Sequence, residues 1–152
     1  MEKIKEFKGM NGNLMAFKEE VGDAKKVTFA GVPGVCTPLA ELFGYVIRDK
    51  ESIFITMTDI ESARKIEMTP QGMQLSELAD PAADVVVILG GLSMPKANVK
   101  TEDINKMVEK ILKKDGKLIG ISFMGMFKEA GWLDKVNFDC IIDATLIGSI
   151  QK

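Results

Sequence analysis

Apolar and polar residues alternate along this chain in two rhythms. Short runs of β-branched and aliphatic residues predict strands at Lys26–Ala30, Ser52–Met57, Asp84–Leu89 and Lys117–Ser122, with a fifth at Asp139–Asp143. The third run is apolar without alternation, the pattern of a strand buried on both faces. Between them the period lengthens to that of a helix. Leu39, Leu42, Phe43, Val46 and Ile47 form one stripe, with Thr37 placed to cap it and Pro38 at its first position. Ile104, Met107, Val108, Ile111 and Leu112 form another, which begins at Thr101 and stops at Asp115-Gly116. A short helix is expected near Phe127–Leu133. Leu14, Phe17 and Val21 give the segment Asn13–Val21 an apolar face that would cover one side of the sheet.

Residues 60–82 carry no single rhythm. A helix over Ile60–Glu67 and a second over Gln74–Ala79, interrupted by Thr69-Pro70-Gln71-Gly72, are the elements assigned to them, with the path of the segment left open. Strands alternating with helices imply right-handed crossovers and a parallel sheet covered on both faces. The expected fold is therefore α/β: one domain over residues 1–152, a three-layer Rossmann-like or flavodoxin-like parallel sheet of about five strands. Strand order stays open. The tail Ala144–Ile150 leaves no room for a last covering helix, so either Asn13–Val21 or a second subunit would cover that side, and a homodimer is expected.

Sheets of this kind bind ligands outside the carboxyl ends of their strands. That rule gathers Gly31–Thr37, Thr58-Asp59, Gly90–Pro95 and Ser122–Met126 on one rim. The candidate ligand-binding residues are Gly31, Gly34, Val35, Cys36, Thr37, Asp59, Gly90, Gly91, Ser93 and Met94. Glycine permits close backbone approach, and a helix start offers free N–H groups and a positive dipole end, so a phosphate- or carboxylate-bearing small molecule suits the loop before Thr37. The alternative for each glycine is a turn with no ligand. Three known patterns do not match. The dinucleotide fingerprint would need glycines where Pro33 and Cys36 stand, although Asp59 occupies the place of the ribose-binding acid. A phosphate-binding P-loop would need a lysine before Thr37. The string Val32-Pro33-Gly34-Val35-Cys36-Thr37-Pro38 looks like the loop of peroxiredoxins, but that family places its reactive cysteine after the Thr-Pro pair, where this chain has Leu39-Ala40-Glu41.

Composition narrows the chemistry further. The 152 residues contain no histidine and two cysteines, which removes Ser-His-Asp and Cys-His catalysis and His-based metal sites, so no metal site is expected. Cys36, near a helix start, is a candidate nucleophile for a thiol-dependent enzyme, and Asp143, closing an apolar strand on the same rim, is a candidate general base. The competing readings are a small buried side chain for Cys36 and a hydrogen-bonded structural carboxylate for Asp143. Met94, Met124 and Met126 could line an apolar pocket, although core filling is the commoner use of methionine. Cys36 and Cys140 fall at opposite ends of strands at least two positions apart. At about 4.8 Å per strand step, that exceeds the roughly 7 Å Cα limit for a disulfide.

Twenty basic and 22 acidic residues give a net charge of −2, which offers no field for nucleic acid or an anionic membrane. The charged N-terminus Met1–Glu6 lacks the apolar stretch of a signal peptide, and the longest apolar run, Val85–Leu89, is too short to span a bilayer. A cytoplasmic protein is expected. Neither a cofactor nor a reaction is specified.

Gly31–Pro38, Thr69-Pro70-Gln71-Gly72-Met73-Gln74-Leu75 and Gly90-Gly91-Leu92-Ser93-Met94-Pro95 together resemble an uncharacterised archaeal family of about this length, found mainly in methanogens. The resemblance extends over nearly the whole chain. It implies a methanogen cytoplasm and a domain of unknown function, and it brings no assigned catalytic residues.

Overall fold

The computed structural model describes residues 1–152. In chain order the elements are α1 (Gly9–Val21), β1 (Lys26–Gly31), α2 (Thr37–Val46), β2 (Glu51–Thr56), a 3₁₀ turn (Ile60–Ser62), β3 (Arg64–Thr69), β4 (Gly72–Leu78), β5 (Ala83–Leu89), two 3₁₀ turns (Gly90–Ser93 and Pro95–Ala97), α3 (Thr101–Ile111), β6 (Leu112–Phe123), α4 (Met126–Glu129) and β7 (Cys140–Ala144). The fold is mixed α/β, built on one seven-stranded sheet in the order β4-β3-β2-β1-β5-β6-β7. Strands β2, β1, β5, β6 and β7 run parallel, while β3 runs antiparallel to both of its neighbours, β2 and β4.

The five predicted strands form that parallel part, and two more extend it. The extra pair corrects the helices assigned to Ile60–Glu67 and Gln74–Ala79. Ile66-Glu67-Met68 and Met73-Gln74-Leu75 alternate with period two, and the ladder pairs Ile66 with Leu75 and Met68 with Met73, so apolar residues share one face. Thr69-Pro70-Gln71-Gly72 is the hairpin turn joining them rather than a break between helices. The Thr69 hydroxyl donates to the Gly72 carbonyl at 2.8 Å and accepts from the Gln71 N–H at 3.1 Å, and Gly72 has φ +103°. A proline-glycine turn flanked by alternating residues forms a hairpin, and here it outweighs the helix propensity of the flanking segments.

Two apolar layers sandwich the sheet. Alternate residues of β5 serve both: Val85, Val87 and Leu89 pack with α1 and α2, Val86 and Ile88 with α3 and α4. Helix α1 fulfils the covering role expected of Asn13–Val21. Leu14, Phe17 and Val21 bury against Ile119, Ile121 and Ile142, and Phe17 meets Phe43 of α2 edge-on with centroids 5.1 Å apart. Full burial of one such side chain contributes about 1.5–3 kcal/mol. On the other face Phe127 lies between Trp132 and Phe138, with centroids 5.7 and 4.8 Å away. Helix α3 ends at Ile111, before the expected Asp115-Gly116 stop, because Leu112 already pairs with Ala83 in the sheet. No helix is long and apolar enough to cross a membrane.

Candidate functional site

Strand β1 leads directly into the loop singled out in the sequence. The Cys36 N–H donates to the Val32 carbonyl at 2.7 Å, winding one turn that delivers the chain into α2. Helix α2 then begins one residue earlier than expected. Cys36 is its cap residue, its carbonyl accepting from the Ala40 N–H at 2.9 Å. The Thr37 hydroxyl does not cap the helix. It turns back and accepts from the Gly34 N–H at 3.1 Å, because Thr37 already has helical geometry and its side chain points to the preceding turn. The N–H groups of Val35, Thr37 and Leu39 are left without a partner in the chain.

The rim glycines have an internal explanation. A Cβ on Gly91 would lie 2.5 Å from the Cys36 sulfur, and one on Gly31 would overlap the Cys36 Cβ. The Cys36 side chain is therefore held between the backbones of β1 and the Gly90–Ser93 turn, 1% exposed. Burial pushes its thiol pKa up, against smaller opposing effects of backbone hydrogen bonds to Val32 and Gly91. These are the surroundings of a packed thiol rather than of a thiolate. A Cβ on Gly90 would meet Ser122 at 2.9 Å, so this glycine too makes room for a neighbouring strand. Gly34 differs, with φ +82° and open space where a Cβ would stand.

Four polar side chains of the rim, those of Ser93, Asp59, Ser122 and Asp143, are engaged internally. The Ser93 hydroxyl donates to the Gly90 carbonyl at 2.7 Å. Asp59 caps the Ile60–Ser62 turn, accepting from the Glu61 N–H at 3.1 Å. Asp143 accepts from the Ser122 hydroxyl at 2.7 Å and from the Gly125 N–H at 3.0 Å, tying the end of β7 to the start of α4. Asp143 is three strands from β1, on the order of 14 Å at the usual spacing, so it does not share a site with Cys36. Gly31, Cys36, Gly90, Gly91 and Val35 do converge, with Met94 beside them: the Val35 side chain lies near Gly91, and the Met94 N–H donates to the Gly91 carbonyl at 3.2 Å. Val35 is 60% exposed, Met94 40% and Met124 58%. Met57 and Met124, which follow β2 and β6 on this rim, hold left-handed backbones at φ +57° and +58°, a strained conformation for a bulky residue.

Two open hollows lie at the opposite pole, by the amino ends of the parallel strands. One, of about 530 Å³, is lined by Asp84, Asp115, Lys25 and Lys117. Asp84 is committed to the N–H groups of Lys25 and Lys26, and Lys117 is paired with Glu20. Lys117 holds the Glu20 carboxyl below its usual pKa range. Burial, reinforced by the Glu20 charge, pushes the nearby Cys140 thiol up to about 11. Cys36 and Cys140 are both free thiols. The second hollow, of about 360 Å³, opens where β2 and β3 part, and brings together Arg48, Lys50, Ser52 and Lys65. None of these four was a candidate in the sequence, and no motif marks them.

Comparison with known proteins gives a consistent answer. Residues 8–147 match the family described as "Uncharacterized protein conserved in archaea (DUF2124)". An uncharacterized protein of Methanothermobacter thermautotrophicus is 49% identical over 152 residues, covering 100% of this chain and 99% of the relative. One from Methanocaldococcus jannaschii is 39% identical over 150 residues, covering 97% of this chain and 92% of the relative. A crystal structure of a protein of unknown function from Methanothermobacter thermautotrophicus superposes with a TM-score of 0.97 at 49% identity, covering 100% of this chain and 98% of that one. With its three quoted motifs inside the matched span, the chain belongs to the archaeal family DUF2124.

Proposed function

We propose that the chain is a single-domain, cytoplasmic small-molecule-binding protein that takes a phosphate- or carboxylate-bearing ligand at the carboxyl rim of its sheet. In chain order the five parallel strands run 2-1-3-4-5, the order of flavodoxin-like sheets, which bind ligands where the order reverses beside the first strand. One observation carries the reading. At that reversal the Val35, Thr37 and Leu39 N–H groups have no partner in the chain, and they stand beside exposed Val35 and Met94. Free amides at a helix start suit an anionic head, and the exposed side chains suit an apolar body. Gly34, in open space, is the glycine of this loop that a ligand could approach. The strained backbones of Met57 and Met124 agree with a functional rim. With a net charge of −2, neither nucleic acid nor an anionic membrane is the partner.

A titration of the ¹⁵N-labelled protein with adenosine monophosphate and with octanoate, each at millimolar concentration, tests this. The amides of Val35, Thr37 and Leu39 should move together with at least one of the two. If neither ligand moves them, the rim is not the binding site.

A second reading has its own observation. Leu146, Ile147 and Ile150 of the tail are 65, 93 and 89% exposed, an apolar surface that no part of the chain covers. In this reading the protein is non-catalytic and self-associates through that tail. Light scattering then gives a dimer mass that falls to a monomer in Ile147→Asp/Ile150→Asp. A monomer for the unmodified chain ends this reading.

A further inference from the structure

We infer that the cleft at the fork between β2 and β3 is a second, separate anion site, one that takes a phosphate group. The β2–β3 ladder ends at the Ser52–Ile66 pair; beyond it the strands diverge and leave a cleft of about 360 Å³ under the carboxyl end of α2, large enough for a small metabolite. Ser52 lines it, 3% exposed, and its hydroxyl oxygen has no hydrogen-bond partner. A buried polar atom without a partner is rare in folded proteins, and an absent ligand is one of its ordinary causes. The hydroxyl lies 3.8 Å from where a Cβ on Gly44 would stand, so the bare backbone there lets α2 close over it.

Arg48 and Lys50 line the cleft with that hydroxyl, while Lys65, paired with Ile53 in the ladder, projects from the opposite face of the sheet. The Arg48 guanidinium is held in place, 4.3 Å from the centroid of the Tyr45 ring, with one N–H donated to the Tyr45 carbonyl at 2.9 Å. Its remaining donors form no hydrogen bond within the chain. Neither Arg48 nor Lys50 lies within 4.0 Å of a carboxylate, and Lys65 has only an outward contact with exposed Glu77 at 3.5 Å. Two carboxylates share the cleft. Glu51 is within 4.0 Å of Lys26, and Glu67 is exposed. Glu51 and Glu67, strand neighbours of Ser52 and Ile66, project from the same opposite face as Lys65. The hydroxyl's side of the cleft therefore keeps two cations and no carboxylate, and a planar guanidinium with free paired donors fits two oxygens of a tetrahedral oxyanion. A hydroxyl that can donate to a third oxygen completes a phosphate cradle.

The test is a titration of the intact ¹⁵N-labelled protein with inorganic phosphate and, separately, with glycerol 3-phosphate, against sodium chloride at matched ionic strength. The expected result is saturable movement of the Ser52, Ile66 and Glu67 amides with both phosphates and none with chloride. Arg48→Gln should weaken binding about tenfold, since it removes charge-assisted hydrogen bonds. Ser52→Ala should weaken it about threefold while leaving the unliganded protein at least as stable, because it deletes an unpartnered polar atom. The inference is overturned if the fork amides respond no more to phosphate than to chloride, or if both variants bind as the unmodified protein does. The rim amides of Val35, Thr37 and Leu39 report separately in the same spectra, so the fork can fail while the rim reading stands, and the reverse.

Discussion

The carboxyl rim and the β2–β3 fork differ in how they treat their polar side chains. On the rim, Ser93, Asp59, Asp143 and Ser122 all hydrogen-bond within the chain, and the glycines make way for Cys36 and Ser122. At the fork, a buried hydroxyl, a lysine and most of an arginine's donors stay unpaired. The rim leaves backbone amides of its motif unpaired, and the fork leaves side chains unpaired. A glycine shows that something comes close to the backbone, and Gly31 and Gly91 show that the something can be the protein itself.

The sharpest way to break this contrast is to ask whether Cys36 is reactive. Buried at 1% exposure, with its pKa raised by desolvation, it should be alkylated only when the rim opens. Iodoacetamide at pH 8 should label native Cys36 at least about a hundredfold more slowly than the same residue in urea, as read by peptide mass spectrometry. Labelling as fast as a free thiol would return the rim to thiol chemistry. Next in size is Gly91→Ala. Its new methyl group meets the Cys36 sulfur at 2.5 Å, and the overpacking should cost about 1–3 kcal/mol in urea unfolding. Adding Cys36→Ala removes the sulfur and should recover most of that loss. The same second change should not rescue Gly31→Ala, whose clash is with the Cys36 Cβ that alanine keeps. Equal rescue of both would mean that the glycines serve something other than this side chain.

What could be read in the sequence follows the same division. The parallel strands, the stripes of α2 and α3 and the covering role of Leu14, Phe17 and Val21 are set by local periodicity, and the structure has them. The Thr37 cap was misplaced by one residue because the turn at Val32–Cys36 already closes an i to i+4 hydrogen bond, which composition does not reveal. Packing of Cys36 against Gly91 joins residues far apart in sequence, so the glycine pair Gly90-Gly91 looked like a ligand loop. The fork was invisible for a different reason. The cleft exists only because β3 runs antiparallel beside β2 and then parts from it, and the pattern assigned Ile60–Glu67 and Gln74–Ala79 to helices. A missed hairpin removes every site that its strands create.

The smallest effects give the finest comparison, because the chain provides three buried serines in the two regions. Ser122 is 2% exposed and donates to the Asp143 carboxylate at 2.7 Å; Ser93 is 8% exposed and donates to the Gly90 carbonyl at 2.7 Å; Ser52 is 3% exposed and donates to nothing. Each becomes alanine with the loss of one oxygen, so cavity and transfer costs are nearly equal and the hydrogen bond is what differs. Ser122→Ala should cost about 1.5–3 kcal/mol, as expected when a charged acceptor loses its donor, and Ser93→Ala about 1 kcal/mol for a neutral bond. Ser52→Ala should cost nothing or stabilise, because the folded state then no longer buries a hydroxyl stripped of water. Urea midpoints at constant slope measure all three. A loss at Ser52 as large as at Ser93 would show that its hydroxyl already has a partner in the free protein, and the fork's side chains would then be as satisfied as those of the rim.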